Sequence, residues 1–217
     1  MWSGEYAHVN AAELLATIQA ELAPLGRELS DHRYLAELEA GRVPPESLCV
    51  FAGEQRAIIT SDQKSFEHLA NRFPQPPAGE FFREMAAGEA EALQLLERFA
   101  GAVGLGGDYE PQPGCQAYSA YVAWLALNGS AGDVALAFVA NLETWGHSCA
   151  RMRDSLIPTY GRDAVAFFDF FADPPADFEQ RALALVGTGD HSSARRAARL
   201  LQAYELLYWD TLADGLR

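Results

Sequence analysis

The chain has 217 residues, of which 49% are apolar and 11% aromatic, so it can bury a sizeable hydrophobic core. Its formal net charge of −14 repels phosphate-rich partners, and we therefore expect it to bind neither nucleic acid nor a membrane surface. The three cysteines form no CxxC pair, which argues against a disulfide scaffold and favours a reducing compartment. The N-terminal stretch MWSGEYAHVN lacks the pattern of a secretion signal, and no apolar stretch approaches the roughly 20 residues of a bilayer span, so we expect a cytoplasmic protein.

Hydrophobic periodicity is helical along nearly the whole chain. Apolar positions recur at helical spacing, as in Leu200, Tyr204 and Leu207, and no alternating pattern suggests a sheet. Prolines in VPPES mark a helix start, while GLGGDYEPQPG and VGTGDHSS are loops. We predict an all-α fold, with residues 1–217 forming a single compact helical bundle. In chain order, the predicted helices cover about residues 10–23, 30–40, 45–73, 79–103, 113–128, 131–157, 161–171, 174–187 and 191–215.

Acidic side chains interrupt the apolar faces of several predicted helices, where an unpaired carboxylate costs several kcal/mol. Glu143 continues an apolar stripe, and His147 follows one turn later. Glu84 and Glu91 lie seven residues apart on one face with small residues between them, and Glu205 stands within the apolar stretch of the last helix. These side chains are either functional, paired with arginine, or solvated. His147 could also be a hydrogen-bonded core histidine.

The stretch FFADPPADFEQRAL carries three polar side chains with a spacing typical of metal helices. Asp173, Asp177 and Gln180 stand at i, i+4 and i+7, which places them on one face of a continuous helix. A simpler alternative is that Asp173 caps a helix beginning at Pro174 and that Asp177 pairs with Arg181 one turn later.

The order of these features resembles the heme-oxygenase-like superfamily, which contains TenA, PqqC and the non-heme diiron oxidases and oxygenases that include CADD. HRYLAELEAGRVPPESL is similar to the early family pattern, and QAYSAYVAWLALNGSAGDVALAFVANLETWG resembles its Ala-Tyr segment and central acidic helix. YELLYWDTL resembles the TenA ending. The resemblance implies a heme-oxygenase-like helical bundle that acts on a small molecule.

In the diiron branch, metal is bound by Glu and His on one helix, Glu on a second, and an H-x-x-x-D-x-x-H motif on a third. By resemblance, Asp173, Asp177 and Gln180 take the places of the third motif. Such an oxygen-rich shell would favour Mg²⁺, Ca²⁺ or Mn²⁺ over iron. We expect a non-heme metal, iron or manganese, and no heme, for which His32 would be the early-helix candidate. The implied metal ligands are Glu84, Glu91, Glu143, His147, Asp173 and Asp177.

The TenA branch implies different chemistry, in which a cysteine on the central acidic helix is the nucleophile. That position falls near Ala137, so the nucleophile is absent. The family's C-terminal glutamate matches Glu205, and Tyr208 takes the aromatic position, so both are catalytic candidates. The early aspartate has only Glu54 or Gln55 nearby.

The leading hypothesis is an enzyme of natural-product or cofactor metabolism, related to non-heme metal oxidases and oxygenases, with an altered metal site and a pocket inside the bundle. One alternative is a metal-free TenA-like hydrolase or lyase in which Glu205 is the acid–base group. Another is a non-catalytic binding or accessory protein. The expected partner is a small-molecule substrate, and a homodimer is possible because dimers are common in the superfamily. The candidates to bind cofactor or substrate are Tyr121, Trp145 and Trp209.

Overall fold

The computed structural model describes residues 10–216, and these residues form α-helices and connecting loops without a strand. The all-α prediction is therefore confirmed. The first nine residues, which hold most of the stretch without a secretion-signal pattern, lie outside the described range, as does Arg217. Within that range no helix combines the length and hydropathy of a membrane span. In chain order the helices are α1 (Ala11–Ser30), α2 (Arg33–Glu39), α3 (Pro45–Arg72), α4 (Ala78–Val103), α5 (Pro113–Asn128), α6 (Ala131–Tyr160), α7 (Ala166–Ala172), α8 (Phe178–Leu183) and α9 (Ser192–Asp214).

Local signals explain most helix ends. The side chain of Asn10 accepts a hydrogen bond from the backbone N–H of Ala12 at 3.1 Å and so caps α1. Ser130 and Asp133 form a reciprocal capping box at the start of α6. Gly104 ends α4 in the left-handed region, with φ of 81°, which only glycine adopts without strain.

Several predicted boundaries are wrong, and the differences are largest in two helices. The first helix was expected to stop at residue 23, but α1 continues through Pro24 to Ser30. Pro24 cannot bond the carbonyl of Ala20, and both residues are exposed, so water can satisfy that carbonyl. The helix expected over 174–187 is only α8, because Pro174 and Pro175 are not helical and a turn at Ala176 and Asp177 precedes Phe178.

Helix α9 runs through the bundle between α5 and α6 and positions the site described below. Its buried Trp209 packs against Phe51 of α3, Trp145 of α6 and Tyr34 of α2, with ring centroids 5.6 to 6.3 Å apart. Helix α5 approaches α9 closely at Gly114, where an added Cβ would lie 3.1 Å from the Cβ of Thr211. These contacts fix the inner face of α9 relative to the neighbouring helices.

Candidate active site

A cavity of about 580 Å³ lies among α3, α4, α5, α6, α9 and the segment from α7 to α8. This volume is in the range of small-molecule sites, and its wall is mostly apolar, as such sites usually are. The aromatic side chains that line it are Phe81, Tyr118, Phe138, Trp145, Phe170, Phe171, Phe178 and Tyr208.

Three acidic side chains reach this apolar cavity from different helices. Asp62 comes from α3, Glu89 from α4 and Glu205 from α9. Asp62 is only 4% exposed and Glu205 only 5%. Tyr118 of α5 interacts electrostatically with all three carboxyl groups, so the three acids lie near one side chain of the wall.

Burial favours the protonated form of these carboxyl groups. It raises the pKa of Glu205 to about 8 and that of Glu89 to about 8. It also raises the pKa of Asp62 well above its ordinary value, and the neighbouring charge of Glu89 adds to the effect. Burial likewise raises the pKa of Tyr118, and the three acids raise it further. Near neutral pH the cavity therefore presents carboxylic acids and a phenol, all able to donate protons.

Sequence reasoning missed Asp62 and Glu89, although a signal for each was present. Asp62 stands four residues after Ile58 and four before Phe66, both buried, so it interrupts the buried stripe of α3. Glu89 follows Met85 by one turn on the cavity side of α4. Because α4 carries several other glutamates, the sequence alone does not single out Glu89 as the one that faces the cavity.

The side chain of Glu205 is hydrogen-bonded to another side chain of α9. The indole Nε1–H of Trp209, one turn later, donates to Oε1 of Glu205 at 3.5 Å. Beside it, Nε2 of Gln55 donates to the hydroxyl of Tyr208 at 2.8 Å. Because that hydroxyl oxygen already accepts a hydrogen bond, the Tyr208 O–H proton is available to a molecule in the cavity.

The wall also holds hydrogen-bond acceptors without a partner. Nδ2 of Asn141 donates to the carbonyl oxygens of Ala137 at 2.7 Å and Ala198 at 3.2 Å. Its Oδ1, and Oδ1 of Asp62, are buried and find no donor in the described chain. Since unsatisfied buried acceptors are costly, the wall is suited to a ligand that carries N–H or O–H donors.

The mouth of the cavity is acidic. Glu84, Glu91 and Asp173 lie on its rim and are exposed. Arg181 is the only basic side chain among the described lining residues, and it pairs with Glu84 and, at 3.8 Å, with Asp177. Asp177 is the N-cap of α8 and Asp173 the C-cap of α7, so the expected single helical face is not formed. Asp173 also does not cap a helix at Pro174.

The other predicted metal ligands lie elsewhere. Glu143 and His147 are exposed and line a second hollow of about 420 Å³, together with Glu179. Glu143 is about 200° around α6 from Asn141, whose side chain lines the main cavity, and this rotation separates it from Glu84. Among residues 10–216, no three His, Cys, Asp or Glu side chains are arranged to hold a metal ion. The residues present therefore do not fit the ligand set of a diiron site.

The predicted catalytic and binding residues are distributed as follows. Glu205, Tyr208 and Trp145 line the cavity. Trp209 lies behind the wall, fully buried, and contacts the lining residues Trp145, Glu205 and Tyr208. Tyr121 is not among the described lining residues, and its ring packs against Trp124 and Tyr204.

Glu54, which stands near the place of the family's early aspartate, does not line the cavity. Glu54 is fully buried outside the wall, and its Oε1 accepts hydrogen bonds from the hydroxyl of Tyr109 at 2.6 Å and the backbone N–H of Gln112 at 2.8 Å. The Tyr109 ring lies over Gly53, where an added Cβ would come within 2.5 Å of it. Glu54 thus fastens the loop between α4 and α5 and supports the fold near the site.

The described lining residues include no cysteine and no histidine. Cys115 and Cys149 are buried away from the cavity, and burial raises the pKa of the Cys149 thiol well above its ordinary value. Ala137, where the family resemblance places a nucleophilic cysteine, is fully buried. The polar groups available for chemistry are therefore carboxyl, phenol and amide groups.

A family model and several solved structures each match most of this chain. The model of the TENA/THI-4/PQQC family matches residues 19–214. A TenA homologue from Pyrococcus furiosus is 15% identical with a TM-score of 0.75, covering 91% of this chain and 98% of its own. A domain of unknown function with a heme oxygenase-like fold from Shewanella denitrificans is 13% identical with a TM-score of 0.76, covering 93% and 92%. A candidate TenA-like thiaminase from Sulfolobus solfataricus is 12% identical with a TM-score of 0.66, covering 94% and 96%. No match was found among curated proteins.

Proposed function

Because the chain belongs to the TENA/THI-4/PQQC family, we propose that it is a metal-independent hydrolase or lyase of small-molecule metabolism, with Glu205 as its acid–base catalyst. The observation that carries this proposal is the convergence of Asp62, Glu89 and Glu205 around Tyr118 in an otherwise apolar cavity. Such an arrangement supports proton transfer, because acids of this kind can donate and accept protons near neutral pH.

The wall favours a substrate with a basic nitrogen and N–H donors. Unpartnered acceptors on Asp62 and Asn141 would receive those donors, and aromatic rings would stack on a planar or cationic group. A phosphorylated substrate is disfavoured, because the rim is acidic and Arg181 is already paired. The likeness to the Sulfolobus solfataricus protein makes thiamine and aminopyrimidines derived from it the first compounds to test.

Glu205 is the best-placed proton donor. Its carboxyl group lies in the wall, its raised pKa favours the protonated form near neutral pH, and among residues 10–216 its one hydrogen bond is the long one from Trp209. In a hydrolysis or elimination it would give this proton to the departing nitrogen and so prevent the build-up of negative charge there. Water, or loss of a proton from the substrate, would complete the reaction, because no cysteine is available among the described lining residues.

The metal-dependent oxidase hypothesis has less support. Two of its expected ligands, Glu143 and His147, line a different hollow, and Glu84 is paired with Arg181. We therefore assign no step to a metal ion. Elemental analysis of the purified protein tests whether a metal is bound.

The test begins with binding and continues with turnover. Thiamine, aminopyrimidines that carry a primary amine, and phosphorylated counterparts of the same rings are titrated into the protein by calorimetry. Compounds that bind are then followed for ring or ammonia release, with the wild type, Glu205→Gln and Glu143→Gln. We expect the amines to bind and the phosphates to bind at least tenfold more weakly. Glu205→Gln should lower turnover about 10²- to 10⁴-fold, while Glu143→Gln, an exposed control, should not.

Two results would contradict the proposal. Turnover by Glu205→Gln at the wild-type rate would remove Glu205 from the chemistry. Tight binding without any product would favour a non-catalytic binding protein.

A further inference from the structure

Two of the three cavity acids form a pair that is separate from Glu205. Asp62 of α3 and Glu89 of α4 interact electrostatically with each other, and among the described residues no such interaction joins either of them to Glu205. Helices α3 and α4 pack closely against each other, so the wall that carries the pair is well supported. The cavity therefore offers two acidic positions rather than one.

The pair has no basic partner in the protein. Asp62 is only 4% exposed, and its Oδ1 is buried without a hydrogen-bond donor in the described chain. Glu89 is half-buried, lines the cavity, and forms no ion pair with any residue between 10 and 216. Two such carboxyl groups are costly to a folded protein unless a molecule in the cavity supplies the missing positive charge.

The groups that face the pair supply no free positive charge either. Helix α5 contributes Tyr118, and α6 contributes Asn141 together with aromatic and aliphatic side chains. Arg181 is the one basic side chain among the described lining residues, and it is already paired with Glu84. The other titratable lining groups are acids and a phenol: Glu84, Glu91, Asp173, Glu205 and Tyr208. A cation that enters the cavity therefore meets acceptors and no competing free cation among these residues.

We propose that Asp62 and Glu89 form the binding site for a cationic nitrogen group, an ammonium or an amidinium, and that one proton leaves the pair when this group binds. Before binding, the protonated form is favoured near neutral pH, because burial raises the pKa of both carboxyl groups. The bound cation lowers these pKa values, so the pair releases a proton to the solvent and keeps a negative charge opposite the ligand. One cation enters and one proton leaves, so the net charge of the cavity does not change.

An organic cation fits this position better than a metal ion does. The wall is mostly apolar and rich in aromatic rings, which would contact the carbon skeleton of an organic ligand and can also face its positive charge. A divalent metal ion needs more oxygen ligands than two carboxyl groups provide. Between residues 10 and 216 no group of three His, Cys, Asp or Glu side chains is arranged to hold one.

This inference rests on the proposed function and adds to it the class of substrate. With the positive group held at Asp62 and Glu89, Glu205 is left to protonate a different atom, the departing nitrogen. The substrate would then contain two nitrogen centres, one that carries the charge and one that leaves. Binding at the pair is measured without turnover, so a failure of this inference can be distinguished from a failure of the proposed function.

Calorimetry with benzamidine tests the exchange directly. Benzamidine is cationic between pH 6 and pH 8, and it is compared with benzylamine and with benzamide, a neutral amide of nearly the same shape. At pH 7 the binding enthalpy is measured in phosphate and in Tris, whose ionisation heats differ, so that the difference counts the protons released. We expect benzamidine to release about one proton and to bind about tenfold or more tightly than benzamide. Its affinity should rise from pH 6 to pH 8, by at most about tenfold per pH unit.

Two double variants locate the exchange. Asp62→Asn combined with Glu89→Gln should abolish the proton release and weaken benzamidine binding about tenfold or more, while benzamide binding stays largely unchanged. The matched control, Glu91→Gln combined with Asp173→Asn, removes two exposed acids of the rim and should leave the proton count unchanged. Glu205→Gln should also retain the proton release, because Glu205 does not belong to the pair. Circular dichroism confirms that each variant is folded.

Three results would overturn the proposal: no binding of either benzamidine or benzylamine, equal affinities for benzamidine and benzamide, or proton release that persists in the Asp62→Asn, Glu89→Gln double variant. The first two are measured on the wild type, so they decide the question even if the double variant does not fold. Wild-type turnover by Glu205→Gln together with proton release on benzamidine binding would instead refute the proposed function and leave this site in place.

Discussion

Trp209 donates its indole N–H to Oε1 of Glu205 at 3.5 Å, from a position one turn later on the same helix. Two opposing effects therefore act on this carboxyl group. Burial, the larger effect, raises the pKa of Glu205, and the indole donor lowers it by stabilising the carboxylate. Burial prevails, and the resulting pKa of about 8 favours the protonated acid near neutral pH while allowing it to ionise during a reaction.

Trp209→Phe should raise the pKa of Glu205 further, because it removes the donor that stabilises the charged form. If Glu205 is a general acid, the alkaline limb of the pH–rate profile of kcat/KM should then move to higher pH. The control is Trp124→Phe, which alters an exposed ring away from the cavity. A limb that stays in place or moves to lower pH would contradict the assigned contact.

Glu205 should also make the protein less stable as the pH rises. Its folded pKa of about 8 lies above its ordinary value of 4.5, so between these values the unfolded chain loses a proton that the folded chain keeps. Stability therefore falls with rising pH across this window, by at most about 1.4 kcal/mol per pH unit from this group. Glu205→Gln removes this contribution, and its stability relative to the wild type should increase from pH 5 to pH 8. Urea denaturation at both pH values, with Glu143→Gln as control, measures it, and parallel changes for all three proteins would refute the prediction.

Metal content is expected to be low. Protein purified without an affinity tag should contain well below one equivalent of iron or manganese by elemental analysis, because the predicted ligands lie around separate hollows. Glu143→Ala and Asp177→Ala should leave activity unchanged. Near-stoichiometric metal that is lost in both variants would instead restore the oxidase hypothesis.

Two glycines should respond oppositely to alanine. Gly101 lies inside α4 with open space around it, so Gly101→Ala should stabilise the protein by about 0.5–1 kcal/mol through the greater helix propensity of alanine. Gly114→Ala would press on Thr211 and force α5 from α9, which should cost about 1–3 kcal/mol. Adding Thr211→Ala should recover part of that loss. Thermal and urea unfolding measure both effects, and equal responses would contradict the described contact between α5 and α9.

Much of the fold was predictable because its signals are local. Helices α3 and α4 were placed within one residue at each end, since prolines and glycines mark their limits. The sequence also pointed to Glu205, because a single acid interrupts an apolar stripe. The cavity was less accessible to prediction: whether Glu89 or its neighbour Glu91 faces inward depends on how α4 is rotated against α3.

The failure at Asp173 and Asp177 has a different cause. Their spacing matches a helical face, but spacing has this meaning only if the helix is continuous. Two successive prolines, Pro174 and Pro175, lie in irregular backbone here rather than in the first turn of a helix. The choice between these outcomes depends on how α7 and α8 pack against α6, which a linear pattern does not contain.

The buried acids also change the charge of the molecule. The formal value of −14 counts every carboxylate as ionised. With Glu89 and Glu205 protonated, the folded chain carries about two fewer negative charges near pH 7, so about −12, and the raised pKa of Asp62 acts in the same direction. Unfolding at neutral pH should therefore release about two protons or more into the solution. The enthalpy of unfolding measured by calorimetry would then depend on the ionisation heat of the buffer. The folded protein would hold these protons, and unfolding would release them.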